Sequence, residues 1–389
     1  MQQCSFDSIA AFLKFNLVAT AIRTQSPGRI NIIGEHTDYN DGFVLPAAID
    51  KATVVDLKKN GSPNECSIIA LNIGEVCYFD LNNFQPMESG WQNYMMGVVH
   101  ELQQIGAKFE GFDCEFGGNV PIGSGMSSSA SLECSFAFAL NELFELGFDK
   151  WQLVKAAQLA EHNFVGIKCG IMDQFASMMG KKDQVMLLDC RTLEFEYFPL
   201  ELGAYQLLLL NTNVSHSLAS SEYNNRREEC EKGVAIIKQK YPTIKNLRDV
   251  SLDVLSEFMG KMPTKTFKRC YHVVAENQRV KEATQAMKQQ DHQLLGELIY
   301  QSHFSLQNDY EVSCPELDYL VQLTLDKDYI LGSRMMGGGF GGCTISIIKK
   351  DKLAEFKAFV AANYKEKFGK DLTAYTVSIE DGAKILHHK

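Results

Sequence analysis

The run Pro121-Ile122-Gly123-Ser124-Gly125-Met126-Ser127-Ser128-Ser129-Ala130-Ser131 limits what this chain can fold into more than any other stretch. Gly123 and Gly125 permit a tight turn, and Ala130, Leu132, Phe136, Ala137 and Leu140 follow at helical spacing. A loop must therefore feed straight into a helix with a buried apolar face. The backbone amides at such a helix start, together with the positive end of the helix, suit an anion and above all a phosphate. On this stretch alone, a solvated Ser/Gly turn capped by Ser129 also accounts for the residues.

Two other stretches narrow the choice. Gly337-Gly338-Gly339-Phe340-Gly341-Gly342 demands tight turns or a close approach to another backbone or a ligand. Glu35-His36-Thr37-Asp38-Tyr39-Asn40-Asp41-Gly42 places a dense polar patch between the strand-like segments 27–34 and 43–49. That patch packs donors and acceptors as recognition of a neutral polyhydroxylated molecule requires. An Asx-rich hairpin turn closed by Asp41-Gly42 is the plainer reading. A metal site is a third, although one His with nearby carboxylates lacks paired-ligand spacing.

Length and composition set the frame. A chain of 389 residues points to two or three domains, and 45% hydrophobic with 22% charged residues can bury a large core. The charge is −10, from 38 basic and 48 acidic residues, with no basic run or basic-aromatic stripe. Nucleic acid and anionic membrane surfaces are thereby disfavoured. The 11 cysteines contain no CxxC pair and are odd in number, which fits reduced thiols in a cytoplasmic protein. The first residues read as a short amphipathic helix around 8–17 rather than a signal peptide, and no apolar run approaches a membrane span.

Patterning predicts a strand meander over residues 52–81, a helix over 91–105, a strand over 112–116, the loop helix, and a helix over 151–163. Trp91 and Tyr94 could line an adenine pocket, though helical aromatics are more often core. Gly166 and Gly170 break the chain before Asp173 opens another apolar helix. Taken alone, Asp173 reads as a helix cap and Glu161 as a solvated carboxylate. Strands over 184–190 and 194–198 precede a boundary near 202–203. A buried strand over 205–210, helices over 216–240, 270–288 and 292–304, a helix after Pro315, a strand over 343–348, a helix over 353–364 and a strand near 373–379 complete the chain.

No GxxxxGK[ST], HRD or DFG occurs, which disfavours Walker-type and protein-kinase sites. Residues 29–42, 121–133 and 337–343 together resemble the three motifs of the GHMP small-molecule kinases. Pro27-Gly28-Arg29, Gly34-Glu35-His36-Thr37-Asp38-Tyr39-Asn40 and Cys169-Gly170-Ile171-Met172-Asp173-Gln174 are similar to the branch of that family that phosphorylates galactose. The resemblance runs in order from about residue 26 to 346.

The resemblance implies an α+β (mixed α/β) fold of two domains with the active site in the cleft between them. Residues 1–202 would form a ribosomal-protein-S5-domain-2-like domain, and 203–389 a ferredoxin-like α/β sandwich. The implied reaction moves the γ-phosphoryl of ATP to the C1 hydroxyl of α-D-galactose, a step of galactose catabolism. Glu35, His36, Thr37, Asp38, Gly170 and Tyr223 would hold the sugar. Gly123, Ser124, Gly125, Met126, Ser127, Ser128 and Ser129 would wrap the phosphates, and Ser129 with Glu161 would hold Mg²⁺. Asp173 would act as base with Arg29 as its charged neighbour, both that charge and the helix start favouring the carboxylate. The expected partners are galactose and ATP, with no nucleic acid and no membrane, for a monomer. Met126 stands where the family usually has Leu, Met336 where Thr is common, and Ser124 replaces a Gly or Ala. Two other activities fit the same motifs, a kinase for N-acetylgalactosamine and a catalytically silent sugar sensor. Retention of Ser129-Ala130 favours an enzyme over the sensor.

Overall fold

The computed structural model describes residues 22–215 and 219–386. The helix expected around residues 8–17 lies outside the described residues, as do positions 216–218 at the head of the long polar helix.

The first half is built on strands that alternate inward apolar and outward polar residues. In chain order these are β1 (Ile22–Asn31), β2 (Phe43–Val44), β3 (Pro46–Lys59), β4 (Glu65–Ala70) and β5 (Glu75–Asp80). Helix α1 (Gln92–Gln104) leads to β6 (Phe112–Gly118), and α2 (Ser128–Leu143), α3 (Lys150–Ala160) and α4 (Met172–Met179) follow. Strands β7 (Gln184–Asp189) and β8 (Phe195–Pro199) pair with β2 in a small sheet ordered β2-β7-β8. On β3, Val55 and Leu57 point into a core shared with Phe112 and Cys114 of β6, Phe136 and Leu140 of α2, and Phe175 of α4. The spacing of those residues, two along the strands and three to four along the helices, gives each element one buried face.

The second half starts with β9 (Tyr205–Ser215) and the helices α5 (Ala219–Lys238), α6 (Leu252–Ser256), α7 (Thr264–Lys288), α8 (His292–Ser305) and α9 (Pro315–Gln322). Strands β10 (Ile330–Met335) and β11 (Gly341–Lys349), helix α10 (Leu353–Phe368) and strands β12 (Thr373–Thr376) and β13 (Lys384–Ile385) end the described chain. Its sheet has the order β10-β11-β9-β12. The unbroken run Leu207 to Leu210 is apolar throughout because this sheet is covered on both faces. Leu208 and Leu210 meet Phe356, Val360 and Tyr364 of α10. Leu207 and Leu209 meet Leu295 and Leu298 of α8, and the same cluster takes in Ile30, Ile32, Ile49 and Met126 from the first half. One hydrophobic cluster therefore joins the two halves under the cleft. The last strand leaves the second sheet: β13 pairs with β1, giving the six-stranded order β13-β1-β3-β6-β4-β5. Helix α7 begins six residues before the expected start at 270, since Pro263 serves as its N-cap.

Candidate active site

The loop 121–127 turns from β6 into α2 through three residues of positive φ, Gly123 (70°), Gly125 (76°) and Ser127 (56°). The N-cap is Ser127, two residues before the alternative expected at Ser129, and it makes no side-chain capping bond. The first amides of α2 therefore have no side-chain cap at Ser127, as an anion site requires. Ser124 is buried and donates to the Pro121 carbonyl at 2.7 Å, so it shapes the loop. Met126 is fully buried in the cluster beneath the cleft, and its carbonyl accepts from the Arg29 amide at 3.1 Å. Gly123 has open space around it, and Ser128 and Ser129 are half-buried beside it.

Arg29 and Asp173, 144 positions apart, meet at this loop. A bulge between Pro27 and Arg29 in β1 turns the arginine toward it. Its Nε and Nη2 donate to the two Asp173 oxygens at 2.8 and 2.9 Å, a bidentate fork, while Nη1 donates to the Gly125 carbonyl. Burial opposes the arginine's charge, but Asp173, Glu35 and Asp38 more than compensate and raise its pKa. Ser127 Oγ donates to Asp173 Oδ2. The reading of Asp173 as a helix cap is overturned: Ile171 is the N-cap of α4, and the Asp173 side chain turns to Arg29 and Ser127.

The polar patch forms a 3-10 turn, Asp38–Asn40, followed by Asp41 at φ 55°. Glu35 is buried, and its Oε1 accepts from both Arg334 terminal nitrogens at 3.1 Å and from the Gly337 amide at 2.9 Å. His36 has φ 64°, and its ring lies among Tyr39, Tyr223 and Tyr310 at 5.8, 5.4 and 4.8 Å. Burial, then His272 and Arg226, pull its pKa down to about 3, so it is neutral. Asp38 is pushed up to about 7, by burial first and then by repulsion from Asp173. Gly170 sits flat against the Asp38 carboxylate, where any Cβ would overlap it. Thr37 is fully buried and its hydroxyl donates to the Gly34 and Phe43 carbonyls at 2.8 and 2.6 Å, which makes it a brace of the turn rather than a group facing the cleft.

Much of the support comes from the second half, which the sequence motifs did not flag. Arg334 also donates from Nε to the Ile32 carbonyl at 2.9 Å. Glu276 of α7 accepts from the Gly34 amide at 3.0 Å, and Asn277 Oδ1 from the Phe43 amide at 2.8 Å. The glycine run closes the cleft from this side. A side chain at Gly125 would stand 2.8 Å from the Met336 carbonyl, and one at Gly342 would stand 3.0 Å from Ser124. Two backbones thus touch where both motifs are glycine-rich.

Glu161 opens a π turn, Glu161–Val165, at the end of α3, where the sequence predicts plain helix to 163. The carboxyl is buried, not solvated, and raised to about 7, by burial first, against a Ser129 hydrogen bond that favours its charge. Glu133, one turn along α2 from Ser129, is buried beside it with Oε1 unpartnered, and Gln174 donates to both carboxylates at 3.1 and 3.4 Å. A hydroxyl, a carboxylate and an orphaned carboxylate oxygen form a hard-oxygen donor set that fits Mg²⁺. Among the described residues no group of three or more His, Cys, Asp or Glu is arranged for a metal, so the protein's share would be small and phosphate oxygens and water would supply the rest. Beside Ser128 and Ser129 a cavity of about 200 Å³ is lined by Trp91, Tyr94, Phe116, Ile122 and Leu132. Trp91 stands edge-on to Phe116 at 5.1 Å, and its Nε1 donates to Glu75 at 2.7 Å.

Comparison with known proteins agrees with this layout. Family models match for the GHMP kinases N terminal domain (residues 93–181), the galactokinase galactose-binding signature (residues 14–59) and the GHMP kinases C terminal (residues 283–366). The galactokinase of Thermotoga petrophila is 41% identical over 365 residues, covering 94% of this chain and 100% of that protein. The crystal structure of Lactococcus lactis galactokinase complexed with galactose superimposes with TM-score 0.92 at 34% identity, over 97% of this chain and 100% of the other. Methanococcus jannaschii mevalonate kinase, 17% identical over 93% of this chain and 99% of its own, shares the fold with TM-score 0.66.

Proposed function

The chain belongs to the galactokinases of the GHMP kinase family, and on that premise we propose that it phosphorylates α-D-galactose at the C1 hydroxyl with ATP, giving galactose 1-phosphate and ADP. The observation that carries this reading is the junction of Arg29, Asp173 and Ser127, where the loop that suits phosphate meets the turn that suits a sugar.

Glu35, His36, Asp38, Gly170 and Tyr223 surround the galactose, with Thr37 bracing their turn. The loop amides and the Ser128 and Ser129 hydroxyls hold the triphosphate while Ser124 and Met126 shape the loop from within, and Trp91 and Tyr94 line the cavity for adenine. The C1 oxygen attacks Pγ in line, the Pγ–O bond to ADP breaks, and the hydroxyl proton passes to Asp173 late in a loose transition state. Arg29 holds that carboxylate by both oxygens and balances its charge as the proton arrives. Ser129 and Glu161 would hold Mg²⁺, which when bound neutralises phosphate charge. Domains divide near residues 202–203, β13 returning across the boundary. No helix among the described residues is long and apolar enough to cross a membrane, and the ten described cysteines are unpaired. The unpaired thiols support placement in the cytoplasm.

A coupled ADP-release assay across sugars tests the assignment. Galactose should turn over well and glucose, its C4 epimer, very poorly, because a site built on specific hydrogen bonds is left with unpaired groups by the wrong epimer. Equal turnover of glucose would overturn the assignment, N-acetylgalactosamine outpacing galactose would replace the substrate, and binding without turnover would make the chain a sensor.

A further inference from the structure

Behind His36 runs a buried chain of hydroxyls that the proposed chemistry does not use. Tyr39 Oη lies 2.7 Å from His36 Nδ1 and 2.8 Å from Tyr310 Oη, and Tyr310 Oη lies 3.3 Å from Cys230 Sγ. Tyr310 and Cys230 belong to the second half of the chain, and Tyr39 and His36 to the first. The Tyr310 ring is wedged between His36 at 4.8 Å and His272 at 4.6 Å, which fixes the hydroxyl in place. On the other side of the imidazole, Nε2 is buried without a hydrogen-bond partner of normal geometry, and the Gly338 backbone lies close by.

Such a chain can point its protons either way, and its two ends decide. A phenol is a good donor and a poor acceptor, since its oxygen lone pair is drawn into the ring, while a neutral imidazole nitrogen accepts well. The bond between them therefore runs from Tyr39 to Nδ1, and the Tyr39 oxygen is left to accept from Tyr310. At the far end burial pushes the Cys230 thiol up to about 12, so the thiol keeps its proton and can offer it to Tyr310. Every link is satisfied in this direction, and the neutral ring carries its own proton on Nε2.

We propose that Tyr310, acting across the cleft through Tyr39, is a positioning residue that holds His36 in its Nε2–H form, so that the sugar site presents a hydrogen-bond donor at that corner. The proposal rests on the reading of this cleft as the sugar site. The Nε2–H, close to the Gly338 backbone but without a bond of normal geometry, is then served by an oxygen of the sugar, and completing that bond requires both halves of the chain in register.

Long-range ¹H–¹⁵N correlation on unliganded protein labelled at histidine reads the tautomer directly. The expected signature for His36 is a protonated Nε2 and a bare Nδ1, and a protonated Nδ1 overturns the proposal. Tyr310→Phe keeps the ring and removes only the relay hydroxyl. It should give a mixed tautomer signal and raise the galactose KM by about threefold to tenfold, the worth of one neutral hydrogen bond, with kcat and the ATP KM within about twofold. An unchanged tautomer in that variant, or a matching rise in the ATP KM, returns Tyr310 to packing alone. Wild-type protein that fails to turn over galactose overturns the substrate assignment instead, and the tautomer measurement then still decides this proposal by itself.

Discussion

The turn at residues 34–43 is held through side chains, whereas the loop at 121–129 is shaped through bare backbone. Glu35 is gripped by Arg334, the Gly34 and Phe43 amides are met by Glu276 and Asn277, and Arg248 stacks 3.5 Å from the Phe43 ring while its Nη1 donates to the Asp41 carbonyl at 3.1 Å. These contacts all come from the second half of the chain and are in place without any ligand. The loop has Gly123 in open space and a helix start without a side-chain cap, and beside it stand two buried carboxyls, Glu133 and Glu161, raised by burial and, for Glu133, next by the charge of Glu161. On the proposed function, a stereochemically demanding ligand would meet a preformed, over-determined surface. A flexible polyanion would meet a loop flanked by carboxyls that burial holds toward their protonated form until a cation and phosphate arrive together.

The largest effect should appear where the two regions join. Asp173→Asn keeps the shape but cannot take the hydroxyl proton, so kcat should fall by at least ~10²-fold. It also leaves the buried Arg29 guanidinium without its carboxylate, so the melting temperature should drop while the chain stays folded. Arg29→Ala on top of it should cost much less than the two single losses combined, since the fork acts as one unit. Stopped single-turnover kinetics and a thermal melt check both, and near-normal turnover in a folded Asp173→Asn protein would remove the proposed chemistry.

Arg334→Met separates the regions next. It leaves the Glu35 carboxylate buried without its guanidinium, a loss of about 3–5 kcal/mol for a broken buried pair. The melting temperature should drop and the galactose KM rise while the ATP KM stays near wild type. An equal rise in both would mean that the turn and the loop are not independently held.

A smaller effect comes from pH. The folded-state pKa of Asp38 lies at about 7, above the ordinary 3.8, so the native chain holds an extra proton between these values and this group's contribution to stability falls as pH rises through that window. Its carboxylate is available to sugar hydroxyls only above about 7. Galactose affinity measured by calorimetry without nucleotide or metal should therefore rise with pH through neutrality, and Asp38→Asn should flatten the profile. A flat wild-type profile would show that the turn binds sugar without that charge.

The smallest is in the loop. Glu161→Gln keeps the shape but weakens a hard anionic ligand, so the Mg²⁺ concentration for half-maximal rate should rise several-fold with galactose affinity unchanged. An unaltered Mg²⁺ dependence would move the cation elsewhere.

What could be read from the sequence follows the same division. The loop was legible because glycine spacing and an amphipathic helix are local patterns, and the expected helix over 91–105 is found at Gln92–Gln104 for the same reason. Arg29, Asp173 and Asp38 were reached through motif resemblance, and the residues that hold them were not. Arg334 lies 299 positions from Glu35 and Tyr310 lies 271 from Tyr39, with no periodicity linking either pair. Glu133 hid on a helix as an ordinary i, i+4 neighbour of Ser129 until burial was known. The π turn at Glu161 was likewise invisible, since its five residues carry no breaker before Gly166.

The most direct test of the account is ³¹P NMR of the reaction itself, with wild-type protein, ATP, Mg²⁺ and galactose. The account predicts loss of the γ-phosphate signal and growth of a single phosphomonoester coupled to the anomeric proton of the α-sugar, with no such product from glucose. A phosphate on any other hydroxyl, or hydrolysis of ATP without a sugar phosphate, would contradict it.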